Sequence, residues 1–165
     1  MQVATVPVVT KFIEILFAVV IIGVYYGTHT LFKVKDYELG TDPDNCNAAD
    51  NFGQFVIIGG LILGIVMIGV TLFLEKSKVF ALVVIVYNVI WFVFYLTGAI
   101  LILSYWSDPT PDLVCFPLAL IDKGIDANDS LEKMRNGGIT VGSFMLFENV
   151  LLIINTISVF IAIKK

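Results

Sequence analysis

Four long apolar stretches occupy most of this chain of 165 residues. They cover about residues 12–28, 52–74, 79–105 and 139–163. Each approaches or exceeds the roughly 20 residues that a helix needs to cross the hydrocarbon core of a bilayer. A helix also pairs its own backbone polar groups, which lipid cannot do. The sequence therefore predicts an all-α membrane protein: a four-transmembrane-helix bundle with two outward-facing loops, at about residues 29–51 and 106–138.

Composition agrees with this prediction, because 58% of the residues are hydrophobic and 15% are charged. A soluble domain of that composition would expose large apolar patches. Residues 1–11 and 164–165 are too short to fold alone, so we expect a single tetraspan domain over residues 1–165. A cleaved signal peptide is the alternative for the first stretch, but no small-residue cleavage site follows Tyr25 and Tyr26.

Basic residues beside the apolar stretches predict the orientation, because lysine and arginine near short loops favour the cytoplasmic side. Such residues precede the first stretch, separate the second from the third, and follow the fourth: Lys11, Lys76, Lys78, Lys164 and Lys165. Both termini are therefore expected in the cytoplasm. The two longer loops then face outward, and their Asp and Glu residues account for most of the net charge of −4.

The two cysteines, Cys46 and Cys115, fall one in each outward loop. Disulfides persist on the oxidising side of a membrane, so a bond between the two loops is the simplest expectation. Free or intermolecularly paired thiols are the alternative. A metal site is disfavoured, because two thiols and the distant His29 lack the ligand number of a structural zinc site.

The second loop carries three further features. Asn128 begins an Asn-Asp-Ser triplet, an acceptor for N-glycosylation if the loop faces outward. The apolar run 113–121 is too short to span; the alternatives are that it packs onto the bundle, dips into the outer leaflet, or meets a partner. Residues 126–135 favour a short helix capped by Asp129 or Ser130, with Arg135 solvated.

Two glycines of the second stretch, Gly60 and Gly64, form a small-xxx-small pair that allows close helix contact. The same surface suits packing within the monomer or a seam between copies of the chain. Both interpretations remain open at this stage.

Few polar residues lie at membrane depth, and Glu148, Asn155 and Asn88 are the most telling. Their spacing predicts a hydrogen-bonded cluster between the third and fourth spans. Glu14 is expected to pair with Lys11 at the interface, which leaves no basic side chain at depth. An intramembrane carboxyl often marks an ion or proton pathway. The two interpretations are a structural clamp, with Glu148 protonated or hydrogen-bonded, and a conduction or binding role.

No catalytic constellation, phosphate-binding loop or metal-ligand cluster can be assembled from the sequence. We therefore expect no enzymatic activity and no cofactor. Without a basic patch, nucleic acid is excluded as a partner. The expected partners are membrane lipids, other integral membrane proteins and further copies of the chain.

The size, the four spans and the two outward loops resemble small four-span junction proteins of the claudin-like, MARVEL and Snakeskin-like types. The short termini resemble those of Snakeskin-like proteins more than those of MARVEL proteins with long cytoplasmic tails. The first loop has one cysteine, Cys46, and lacks the Gly-Leu-Trp motif of claudins. No specific motif matches, so no functional residue is transferred. The resemblance implies a structural or adhesive component of cell–cell contacts in the plasma membrane. An accessory or trafficking subunit of a channel, transporter or vesicle is the alternative, and a small channel the third candidate.

Overall fold

Four helices form the protein in the computed structural model, which describes residues 5–28, 30, 32, 48–74, 77–107 and 127–164. They are α1 (Thr5–Gly27), α2 (Ala48–Leu72), α3 (Lys78–Trp106) and α4 (Ala127–Lys164). Each contains an apolar segment of membrane-spanning length, between 22 and 31 residues. No strand occurs in the described ranges. The predicted architecture, an all-α membrane protein with four spans, is confirmed.

Helices α1 and α4 extend furthest beyond their apolar stretches. Helix α1 begins at Thr5 rather than near residue 12, so Lys11 lies inside it. Its early proline, Pro7, fits the first turn, where a missing backbone N–H costs little. Helix α4 begins at Ala127, so the helix predicted over residues 126–135 of the second loop is the first part of α4 rather than a separate short helix, and Asp129 and Ser130 lie inside it rather than capping it. Hydropathy locates the part of a helix inside the membrane, whereas polar residues can continue the same helix beyond it.

The helices stand in chain order around the bundle. Helix α1 contacts α2 and α4, and α3 contacts the same two helices, with the most extensive contact between α3 and α4. Buried positions recur in alternating steps of three and four residues, the repeat of left-handed helix bundles. On α4 this buried seam runs through Val141, Met145, Glu148, Leu152, Asn155 and Val159.

Helices α3 and α4 approach closely because glycines on α4 face bulky side chains on α3. A Cβ atom placed on Gly138 would lie 2.1 Å from the Trp106 ring, and one on Gly142 would lie 2.5 Å from Leu103. Small residues at such contacts let helix backbones pack tightly in lipid. These glycines fix the distance between the two helices at this end of the bundle.

Side-chain contacts define the helix ends. The hydroxyl of Ser77 caps α3 by accepting a hydrogen bond from the Val79 N–H at 3.2 Å. At the other end, Arg135 Nε donates to the Trp106 carbonyl at 3.1 Å. A cation there is favourable, because carbonyls at a helix C-terminus carry partial negative charge. Arg135 was expected to be solvated, but the structure places it half-buried, with its Nε on a carbonyl at the end of α3.

The perimeter of the described bundle is apolar. Large hydrophobic side chains on all four helices are about half exposed, among them Leu16, Ile65, Val89, Ile100, Phe147 and Ile157. Such a surface is stable against acyl chains and unfavourable against water. The helices therefore contact membrane lipid.

Candidate functional site

A lysine side chain is buried inside the bundle. Lys11 on α1 has an exposed fraction of 0%. Its Nζ donates to Glu14 Oε2 at 2.5 Å and to Asn88 Oδ1 on α3 at 2.7 Å. It also lies 4.6 Å from the centre of the Tyr87 ring, within cation–π range. The ammonium group is thus held by an acid, an amide oxygen and an aromatic face.

This burial corrects the sequence analysis, which placed Lys11 and Glu14 at the interface and expected no basic side chain at depth. Both side chains are buried. Asn88, the partner of Lys11, is ten residues beyond Lys78, the first residue of α3. At 1.5 Å per residue that is about 15 Å along α3 from its exposed first residue. Glu14 and Asn88 supply the interactions that water would otherwise provide, which is why the lysine can point inward.

Two asparagines extend the cluster to α4. Asn88 Nδ2 donates to Asn155 Oδ1 at 2.9 Å and to Thr156 Oγ1 at 3.0 Å. Asn155 Nδ2 in turn donates to the Pro7 carbonyl at 2.9 Å. Asn88 and Asn155 are therefore brought together as their spacing suggests, and the network also includes α1. We call the residues Lys11, Glu14, Asn88, Asn155 and Glu148 the polar cluster.

Asn149 makes a separate contact between α4 and α3. With its amide nitrogen turned toward α3, it donates to the Phe92 carbonyl at 2.9 Å, and its oxygen accepts from the Leu96 N–H at 3.1 Å. These two backbone groups belong to one turn of α3. The Asn149 side chain thus forms hydrogen bonds with the backbone of α3, which fixes the register of α4 against α3.

Glu148 differs from Glu14 because it forms no ion pair with a described residue. Its side chain is 1% exposed, and its Oε1 has no hydrogen-bond partner among the described residues. The same holds for Oε1 of Glu14. Both side chains line a cavity of about 10 Å³ together with Tyr87 and Tyr95. That volume is close to what a single water-sized sphere occupies.

The glycine pair of α2 faces this interior. A Cβ atom on Gly60 would lie 2.3 Å from the Tyr95 hydroxyl, and one on Gly64 would lie 3.6 Å from Ile15 and from Tyr87. The Tyr87 hydroxyl donates to the Gly60 carbonyl at 3.3 Å. The structure thus places Gly60 and Gly64 against α1 and α3 of the same chain, where they cannot meet a second copy.

Several predicted sites lie outside the described residues. These are Cys46, Cys115, His29 and the apolar run 113–121, so the disulfide between the loops stays a prediction. Asn128 is in the first turn of α4, but its side chain is not described, and its glycosylation also stays a prediction. Within the described ranges, no three His, Cys, Asp or Glu side chains come together as metal ligands.

Sequence reasoning missed Lys11 as a member of the polar cluster. The available signal was its spacing, because Lys11, Glu14, Ala18, Ile21 and Tyr25 follow one buried seam of α1 in steps of three and four. A lysine in register with an intramembrane glutamate points to the same interior face. Chemically, the cluster can join three helices and hold two carboxyl groups beside one ammonium group.

Comparison with known proteins adds one finding. The sequence pattern of a family described as MARVEL, a membrane-associating domain, matches residues 2–158. Among curated proteins no match was found, and no solved structure matches.

Proposed function

Since the chain belongs to the MARVEL family of membrane-associating domains, we propose that it is a structural, non-enzymatic component of cell–cell contacts in the plasma membrane. The family match and the four spanning helices make it a tetraspan membrane protein. Its role at contacts is the proposal. In this role the bundle is a rigid support, and the two loops form the surface that faces the neighbouring cell.

The observation that carries the proposal is how the bundle uses its polar groups. Lys11, Asn88 and Asn155 bond to one another and to neighbouring helices. The cavity beside Glu148, at about 10 Å³, has room for about one water. An ion-conducting protein needs a continuous polar path, whereas these groups are used to tie helices together. A bundle of this kind favours a supporting role over a channel.

The charge distribution supports the same role. Lys78 begins α3 and Lys164 ends α4, which places both at one end of antiparallel neighbours. Lys11 no longer counts toward orientation, but these residues still favour cytoplasmic termini. The acidic loops then face outward, joined by the predicted bond between Cys46 and Cys115. Such loops in a narrow intercellular space would repel anions.

Localisation tests this proposal. In its native tissue, immunogold labelling of the wild-type protein is expected to concentrate where two cell membranes are apposed. A Cys46→Ser variant, which cannot close the bond between the loops, is expected to lose that concentration while still reaching the surface. Ser107→Ala, which leaves both cysteines in place, serves as the control. Labelling of the wild type over vesicles or away from contacts would refute a contact role.

A second candidate, an accessory or trafficking subunit, is favoured by one surface of α1. Gly23 and Gly27 are exposed, and outside their own stretch of helix backbone no described atom lies within 4 Å of a Cβ placed on either. They form a small-xxx-small pair on the lipid side, a pattern that suits close approach of another membrane helix. Gly60 and Gly64 cannot play this part, because they pack inside the monomer.

Replacing Gly23 tests this second candidate. If α1 docks on a larger membrane protein, Gly23→Leu should abolish recovery of that protein at a fixed ratio from native membranes in mild detergent. Gly69→Leu is the matched control, because Gly69 is also exposed with open space around it, but lies on α2. Equal recovery with both variants would show that the α1 surface is not the docking site.

A further inference from the structure

The charges of the polar cluster do not balance. Glu14 and Glu148 are two carboxyl groups, and Lys11 is the one ammonium group within the cluster. All three side chains are at least nine-tenths buried. If every group were ionised, the cluster would carry one surplus negative charge. An uncompensated charge in a low-dielectric interior is very costly, so such a group ordinarily becomes neutral.

Geometry decides which carboxyl is compensated. Glu14 Oε2 forms an ion pair with Lys11 Nζ, 2.5 Å away. Glu148 has no ion pair with a described residue, and its Oε1 lacks a hydrogen-bond partner. The side chains of Glu148 and Glu14 line the same small cavity. Among the described residues, Glu148 is therefore the cluster carboxyl that has no ammonium group in direct contact.

We propose that the polar cluster is a binding site for one exchangeable proton, held on the carboxyl of Glu148 while Glu14 stays ionised against Lys11. The proton comes from water and forms an O–H bond on one oxygen of Glu148; its release returns it to water and restores the carboxylate. No electron transfer or covalent partner is involved. This inference does not depend on where in the cell the protein resides.

The surroundings of Glu148 are consistent with a proton as the ligand. The cavity is lined by Tyr87 and Tyr95 from α3 and by Glu14 from α1, whereas α2 contributes the uncharged Gly60 and Gly64. At about 10 Å³ the cavity has little room for a cation with its own water shell. Release of the proton would place a negative charge beside the contact of Tyr95 with Gly60. Protonation is therefore expected to favour the closed packing of α2, α3 and α4.

Infrared spectroscopy tests the proposal directly, because a protonated carboxylic acid and a carboxylate absorb at different frequencies. The full chain is reconstituted in lipid nanodiscs at neutral pH with isotope-labelled glutamate, so that glutamate bands are separated from aspartate bands. We expect one protonated glutamate per chain, which titrates reversibly at higher pH. Absence of that band in the wild-type protein would overturn the proposal without reference to any variant.

Substitutions assign the proton. Glu148→Gln, which has the shape of the protonated acid, should reduce the count from one protonated glutamate to none. Glu132→Gln removes an exposed glutamate of α4 and should leave the count at one. If the band survives in Glu148→Gln, the proton lies elsewhere and the assignment is wrong.

The charge balance gives two further expectations. Glu14→Gln leaves Glu148 as the one carboxyl of the polar cluster that can balance Lys11, so Glu148 should ionise and the band should disappear. Lys11→Met removes the ammonium group, so both glutamates should be protonated and the count should rise to two. Unchanged counts in both variants would refute the sharing of one proton among these three groups.

A sodium ion bound in the cavity would supply the same positive charge as the proton. Changing the salt in the buffer distinguishes a sodium site from a proton site. The wild-type spectrum is recorded at one pH in sodium chloride and in choline chloride. A proton site predicts the same band in both salts. Loss of the band in sodium chloride alone would overturn the proposal in favour of a sodium site.

Discussion

Gly138→Ala is expected to lower the free energy of unfolding of the bundle by about 2 kcal/mol, a typical cost of overpacking a closely packed interior. The new Cβ would lie 2.1 Å from Trp106, whose indole ring is rigid and 1% exposed. Either the ring or the α3 backbone must shift. The shift would also disturb the carbonyl of Trp106 that accepts from Arg135.

Two other glycines give matched controls for this prediction. Gly69→Ala on α2 meets no atom within 4 Å, so alanine should be neutral or stabilise the helix by up to about 1 kcal/mol. Gly98→Ala meets the terminal methyl group of Met145 at 2.5 Å, and that flexible side chain can move aside at small cost. Unfolding in mixed detergent micelles, followed by circular dichroism, ranks the three variants. A Gly138 variant as stable as the Gly69 variant would contradict the close α3–α4 contact.

The sequence was sufficient for the spans and for some inward-facing residues. Glu148, Asn88 and Asn155 could be assigned to the interior because a polar group exposed to lipid is costly. Gly60 and Gly64 were recognisable as a packing surface, but the sequence did not show which helices they contact. The spans are apolar on every side, since lipid replaces water around them. Hydrophobicity therefore could not distinguish their buried faces from their lipid-facing ones.

The remaining errors share a cause. Lys11 was assigned to the interface because it stands directly before an apolar stretch, where lysines usually flank a span. Its actual position depends on Asn88, which is 77 residues away in the sequence. Gly138 was overlooked for a similar reason: its importance lies in Trp106 on another helix. Contacts of this kind are set by the arrangement of helices, which local sequence patterns do not specify.

Lys11→Met is expected to have the largest effect of any single substitution in the polar cluster. Methionine fills a similar volume, but it removes the ion pair with Glu14 and the hydrogen bond to Asn88. Breaking a buried ion pair by removing one partner typically costs about 3–5 kcal/mol, because the other charge is left uncompensated. We expect the loss of unfolding free energy to lie near the lower limit of this range, because Glu14 can take up a proton once Lys11 is removed.

The control is Lys78→Met, which removes an exposed lysine at the start of α3 and should change stability little. The double variant Lys11→Met, Glu14→Gln is expected to recover part of the loss, because it removes the orphaned acid together with its partner. A double-mutant cycle from the same micelle unfolding measurements gives the coupling energy between the two residues.

Proton uptake by Glu14 makes the loss of stability in Lys11→Met smaller at acidic pH, whereas a purely steric loss would not depend on pH. A coupling energy near zero, or a Lys11 variant as stable as the Lys78 control, would show that the lysine is not held by the buried acid.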